Sequence, residues 1–221
     1  MNWRLVIFLI FSGILTKAQD AGFFKQVWLE EGLSQSSITC MTQDQQGFMW
    51  FGTQDGLNRY DGRRIDQFNF EPFNQNSISG DNIISIIPDS NNLIVHTIPG
   101  LDKLNTETLR SSLIPFFNEL KQKGIKVYKV WKIKGRLLLF CSDGLLYSKT
   151  NDKLVKYELK KGEKDRKVLI YDLREINNTL YAATNQGVYF SSSNAAFEPL
   201  KIGTGDLNWA SYSIYERNDS L

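Results

Sequence analysis

Apolar residues along the chain fall into short bursts of five to eight positions, each broken by a polar turn. "SITCMTQD" (37–44), "NIISIIPD" (82–89), "VYKVWKI" (127–133) and "LIYDLREI" (169–176) are four such bursts. Their length and their β-branched and aromatic content predict strands rather than helices. Each is followed by residues that reach positive φ or bond their own backbone: Gln45-Gln46-Gly47, Ser90-Asn91-Asn92, Lys134-Gly135 and Asn177-Asn178. A second strand then runs to a glycine turn, and a third leaves it as "LNRYD", "LDKLN", "LLYSK" or "VYFSS". A more polar fourth strand closes the pattern, clearest in "RIDQFNF" (64–70) and "KLVKYEL" (153–159).

These groups of four strands recur. The turn glycines Gly56, Gly100, Gly144 and Gly187 are 44, 44 and 43 residues apart. Thr53, Thr97 and Thr184 stand three residues before their glycines, with Cys141 in that slot of the third copy. Six residues before stand Trp50, Ile94, Leu138 and Tyr181, all large and apolar. Four antiparallel strands every 40–50 residues mark a β-propeller blade, whose faces are buried by stacking on neighbours. Solenoid rungs are usually shorter, and a two-sheet sandwich demands no such regular repeat.

The predicted fold is therefore all-β: a propeller with four-stranded antiparallel blades of about 44 residues. Blades are assigned to about residues 32–75, 76–126, 127–168 and 169–208, with the inner strand of a fifth starting in 209–221. The early strands are the most apolar, which assigns the first to the propeller axis and the fourth to the rim. "FFKQVWLE" (23–30) reads as an outer strand that joins a last blade to the first. A ring of seven such blades needs about 300 residues, so the expectation is an incomplete propeller, part of a longer protein. "PFFNELKQKG" (115–124) interrupts the strand pattern. Phe116, Phe117 and Leu120 at one-face helical spacing predict a short helix packed on a blade edge.

The N-terminus has a different character. Arg4 precedes the apolar run "LVIFLIFSGIL" (5–15), and Thr16 and Ala18 occupy the small-residue positions of a signal-peptidase site. Residues 1–18 are thus predicted to be a signal peptide cleaved after Ala18, leaving an exported, periplasmic chain of residues 19–221. The run is shorter than the ~20 residues of a spanning helix, so no membrane insertion is expected of the mature part. Cys40 and Cys141 fall on strands of different blades, too far apart to bridge. Two free, buried thiols are expected.

At 42% hydrophobic and 23% charged residues, with a formal charge of +2, the chain is an ordinary globular one. It has no basic footprint for nucleic acid. One histidine and two separated cysteines provide neither a metal cluster nor a catalytic triad, and His96, mid-strand, reads as a buried structural residue. No enzyme activity, no cofactor and no metal are predicted.

The stretch "GLSQSSITCMTQDQQGFMWFGTQDGLNRYDG" (32–62) resembles the first blade of the two-component regulator propellers. The shared pattern is a Gly-Leu-Ser start, a strand ending in Asp, a Gly turn, Trp-x-Gly-Thr, then Gly-Leu-x-x-Tyr-Asp-Gly. Later blades match it weakly. The resemblance implies the exported, extracytoplasmic sensor region of a hybrid two-component system of the type common in Bacteroides-like bacteria. Two seven-bladed propellers, a β-sandwich, a membrane helix and cytoplasmic kinase modules make up such a protein, and glycans are its implied signals. An oligosaccharide is then the expected ligand, and the rest of the sensor polypeptide or its dimer mate the expected protein partner. The alternative is a free-standing exported propeller that binds carbohydrate or protein.

Propeller ligands usually meet the loops entering the inner strands and the turns between second and third strands. Here those segments supply Gln54, Asp55, Asp81, Asn82, Asp143, Gln186, Asp206 and Trp209 as candidate binding residues. The polar side chains can bond sugar hydroxyls, and the indole offers an apolar face for a pyranose.

Overall fold

The computed structural model describes residues 29–150, 153–160, 167–192, 196–200 and 210–215. Residues 1–28 lie outside that set, and with them the predicted signal peptide and most of the predicted joining strand. Leu29 and Glu30, the part of that strand within the set, belong to a 3-10 turn, Leu29–Glu31.

Sixteen strands in the described residues form four consecutive antiparallel units. Unit 1 holds β1 (Cys40–Gln43), β2 (Met49–Thr53), β3 (Gly56–Tyr60) and β4 (Ile65–Phe68). Unit 2 holds β5 (Ile83–Asp89), β6 (Asn92–Thr97), β7 (Leu101–Asn105) and β8 (Ser111–Leu113). Unit 3 holds β9 (Val127–Ile133), β10 (Arg136–Cys141), β11 (Leu146–Thr150) and β12 (Lys153–Leu159). Unit 4 holds β13 (Ile170–Ile176), β14 (Thr179–Thr184), β15 (Gly187–Ser191) and β16 (Ala196–Pro199). The first strands of successive units lie side by side, β1 against β5, β5 against β9 and β9 against β13. That is a propeller arrangement.

The turn chemistry read from the sequence is realised in the backbone. Ser90, Lys134, Asn177 and Asn178 all have positive φ at the first hairpin of their units. At the second hairpin the recurring threonine acts as a latch. Thr53, Thr97 and Thr184 are fully buried, and each hydroxyl donates to the carbonyl of its anchor glycine, at 3.0, 3.2 and 2.7 Å. The same hydroxyls accept a turn N–H from Asp55, Gly100 and Gln186.

Three apolar layers separate the units. Trp50, Leu57, Ile83, Leu93, Val95 and Leu104 fill the layer between units 1 and 2. Ile94, Leu101, Val130, Leu139, Cys141 and Tyr147 fill the next, sealed by helix α1 (Pro115–Gln122) through Phe116, Phe117 and Leu120. Leu138, Phe140, Leu146, Leu173, Ala182 and Tyr189 fill the third. Alternate residues of β6 thus serve opposite layers, as the pleat requires.

Two features differ from expectation, the exposure of Cys40 and the joining of units 3 and 4. Burial peaks in the second strands: Leu93–Thr97 of β6 are all buried, whereas β1 alternates half-buried and exposed. A first strand has a neighbouring strand on one side and the open axis on the other, so its outward residues meet solvent. Cys40 is accordingly half-buried, while Cys141 is buried, and both are free thiols. Units 3 and 4 also join at their outer edges, where β12 pairs in parallel with β16 through Glu158↔Ala196 and Leu159↔Phe197. The result is an eight-stranded sheet that no local pattern announces.

Candidate ligand-binding face

One end of the units collects the lead-in loops and the turns between second and third strands. The two kinds of segment are bonded to each other in every unit. In unit 1 the Ser34 N–H donates to Asn58 Oδ1 at 2.9 Å, and the Ser34 hydroxyl lies 2.8 Å from Thr53 Oγ1. In unit 2 Asp102 takes the place of Asn58, accepting from the Ser79 N–H at 2.9 Å and its hydroxyl at 2.7 Å. Burial pushes the Asp102 carboxyl above the usual carboxylate range. In unit 3 the Ser142 N–H donates to the Lys126 carbonyl and its hydroxyl accepts from the Lys126 N–H. In unit 4 Asn185 accepts from the Leu169 N–H and donates to the Lys167 carbonyl. These polar ties between loop and turn leave no hydrophobic period, and sequence reasoning missed them. A serine following an apolar residue in each lead-in, Ser34 after Leu33 and Ser79 after Ile78, was their available signal.

Six of the eight predicted binding residues sit on this face. Gln54, Asp55 and Asp143 are exposed at its turns, and Gln186 is half-buried. Asp81 is a structural tie: its carboxylate accepts the Phe70 N–H at 2.7 Å and its carbonyl the Gly56 N–H at 2.8 Å. The Asn82 carbonyl accepts the Ile98 N–H. The Asp143 carboxylate accepts the Leu145 N–H and the Tyr147 hydroxyl, the latter at 2.6 Å. Asp206 and Trp209 lie outside the described residues.

A second feature of this end escaped the sequence reading. The first-strand ladders of units 2, 3 and 4 each carry a one-residue bulge, at Ile84, Tyr128 and Tyr171. Each bulged residue stands sixteen positions before its anchor glycine. A bulge bends its strand and re-aims the inserted side chain. Tyr128 is thereby 46% exposed, and Tyr171 stacks on Tyr212 with ring centroids 5.1 Å apart. Lys129 donates to the Tyr171 carbonyl at 2.9 Å and lies 5.8 Å from its ring centroid. Lys167 lies 5.9 Å from the Tyr128 ring.

The opposite end is held by charge. Glu175 pairs with Lys134 at 2.9 Å and Arg136 at 2.8 Å, and the Lys134 hydrogen bond, with Arg136 beside it, holds its carboxyl below the usual range. Lys132 pairs with Asp89 between units 2 and 3. Among the described residues no group of three His, Cys, Asp or Glu could hold a metal, and no helix is long and apolar enough to cross a membrane.

The residues of the family pattern prove to be the frame of a blade. Gly32, Gly47, Gly56 and Gly62 have positive φ. Asp44 caps the first hairpin through the Gln46 and Phe48 N–H groups and takes the Trp50 indole N–H at 2.7 Å. A Cβ on Gly52 would lie 2.6 Å from Cys40 Sγ and 2.7 Å from Ile83 Cγ2, so β1 and β5 approach because that position is bare. Asp61 caps the last turn through the Arg63 and Arg64 N–H groups.

Comparison with known proteins places this frame. Residues 32–55 match the family described as two component regulator propeller. Over 75 residues, 34% of this chain and 6% of the relative, the sequence is 43% identical to a protein named Histidine kinase P4 from Formosa agariphila. Among solved structures, the fold is similar to one described as the extracellular domain of a hybrid two component system from B. thetaiotaomicron. That match has a TM-score of 0.54 and 20% identity, and covers 76% of this chain and 22% of the other. PorZ, a surface component of the type-IX secretion system of Porphyromonas gingivalis, gives a TM-score of 0.55 at 16% identity, covering 81% and 24%. The chain thus carries a two-component regulator propeller repeat on a propeller fold, and spans about a quarter or less of each of these relatives.

Proposed function

We propose that this chain is the extracytoplasmic, ligand-sensing propeller part of a larger hybrid two-component sensor, and that its signal is an oligosaccharide. The observation that carries the reading is the regulator-propeller repeat at 32–55, joined to a relative named as a histidine kinase. Chemistry on this chain is limited to binding. The face of lead-in loops and turns presents Gln54, Asp55 and Asp143 to solvent on a scaffold whose internal hydrogen bonds are already made. Such rigid, polar loops lose little entropy when they bind sugar hydroxyls. Export after Ala18 would put the face in the compartment where oligosaccharides arrive. The free energy of binding would reach a kinase through segments of the parent protein beyond this propeller.

The test is genetic and chemical together. A source strain lacking the gene is predicted to lose its transcriptional response to one class of oligosaccharide, and the purified chain to bind that class by calorimetry. A strain that keeps every such response would overturn the reading.

A further inference from the structure

The bulge tyrosines carry an inference about the class of ligand, which rests on the oligosaccharide reading above. We propose that the first-strand end of units 3 and 4, beside the propeller axis, takes an acidic oligosaccharide, one bearing carboxylate or sulfate groups. Tyr128 and Tyr171 would face its sugar rings, and Lys129 and Lys167 would meet its charges.

Four observations converge on that end. The bulges place a tyrosine at the same point of two adjacent first strands, where an unbulged ladder would turn each side chain to another direction. Lys129, exposed on β9, reaches across to Tyr171 on β13, so the two tyrosine–lysine pairs form one surface. Tyr212, 71% exposed, extends the aromatic surface by stacking on Tyr171. The charge is positive where it is uncommitted. An ammonium has three donors, and Lys129 and Lys167 each spend one on a backbone carbonyl, of Tyr171 and Ser142.

Among the described residues, Asp172 and Asp143 are the nearby carboxylates, and both are engaged. Asp172 accepts the Leu173 and Ile214 N–H groups and lies 3.5 Å from Arg174, and Asp143 is held by Tyr147. Aromatic faces suit pyranose rings, and cations beside them select a sugar that carries negative charge. A neutral oligosaccharide would offer the two ammonium groups hydroxyl acceptors but no opposite charge, a weaker compensation for their desolvation.

Calorimetry on the whole chain with three probes of equal length tests this: an oligogalacturonate, a sulfated chondroitin oligosaccharide and a neutral xylo-oligosaccharide. At least one acidic probe is expected to bind tenfold or more tighter than the neutral one, with affinity falling as salt rises. The probe that binds identifies carboxylate or sulfate as the preferred group. Lys129→Gln and Tyr128→Ala, both at exposed positions, should each weaken that probe fivefold or more with unchanged circular dichroism. Equal or tighter binding of the neutral probe overturns the acidic assignment and leaves the oligosaccharide reading standing. Acidic binding untouched by both substitutions overturns the location. No binding of any probe removes both.

Discussion

His96 is buried at 1% exposure in the layer between units 2 and 3, with its ring 6.4 Å from Phe117 of the sealing helix. Neither ring nitrogen has a hydrogen-bond partner among the described residues, and the hydroxyl of Ser85, opposite it in the ladder, has none either. Burial lowers its pKa to about 4. A folded-state pKa below the ordinary 6.5 means that the unfolded chain takes up the proton first. Stability contributed by neutral His96 is therefore full above pH 6.5 and is lost as pH falls towards about 4. His96→Phe is expected to flatten that slope and to add about 1–3 kcal/mol at neutral pH by removing unpaired buried donors and acceptors. Urea unfolding at pH 7 and pH 4.5 reads both effects. An unchanged pH slope would show that His96 is solvated or paired. The sequence already marked this residue as structural, since a single histidine amid apolar strand positions has no partner chemistry within reach.

At the scale of the element, the blade is defined by where side chains are absent as much as by where they are present. Gly52 is the case in point. Its missing Cβ lets Cys40 and Ile83 close the contact between β1 and β5, which aligns the first strands of units 1 and 2. Gly52→Ala is expected to cost about 1–3 kcal/mol by overpacking, with a matching fall in the thermal midpoint. A neutral effect would show that the first strands can slide apart at no cost.

The hairpins, the latch threonines and the helix at 115–122 were legible in the sequence, because each depends on residues within a few positions of one another. The ties of Ser34 to Asn58 and Ser79 to Asp102 were not, since they join residues 24 and 23 positions apart with no periodic trace. The bulges at Tyr128 and Tyr171 fall between. Their offset from the anchor glycine is regular in the sequence, yet the reading of these segments as plain strands hid the inserted residue. Asp81 carries a role the sequence did not announce, since one oxygen of its carboxylate accepts the Phe70 N–H.

For the whole molecule, the residues that make the family pattern recognisable, Asp44, Trp50, Gly52, Thr53 and Gly56, are all committed to holding a blade together. They identify the architecture, and under the proposed function recognition falls to the loops and bulges at one end of it. Units 3 and 4, which match the pattern weakly, are those with the aromatic and cationic groups at their first strands. This division predicts that ligand specificity can change without disturbing the layers between units, because the two functions use different residues.

Hydrogen–deuterium exchange on the chain, with and without its tightest-binding oligosaccharide, tests that division most directly. The account predicts slowed exchange at the lead-in loops and turns around 54–56, 79–82, 126–129, 142–144 and 167–171, with the Lys134–Arg136 and Asn177–Asn178 turns at the opposite end unchanged. Protection confined to those opposite turns, or to the outer strands β4, β8, β12 and β16, would contradict it.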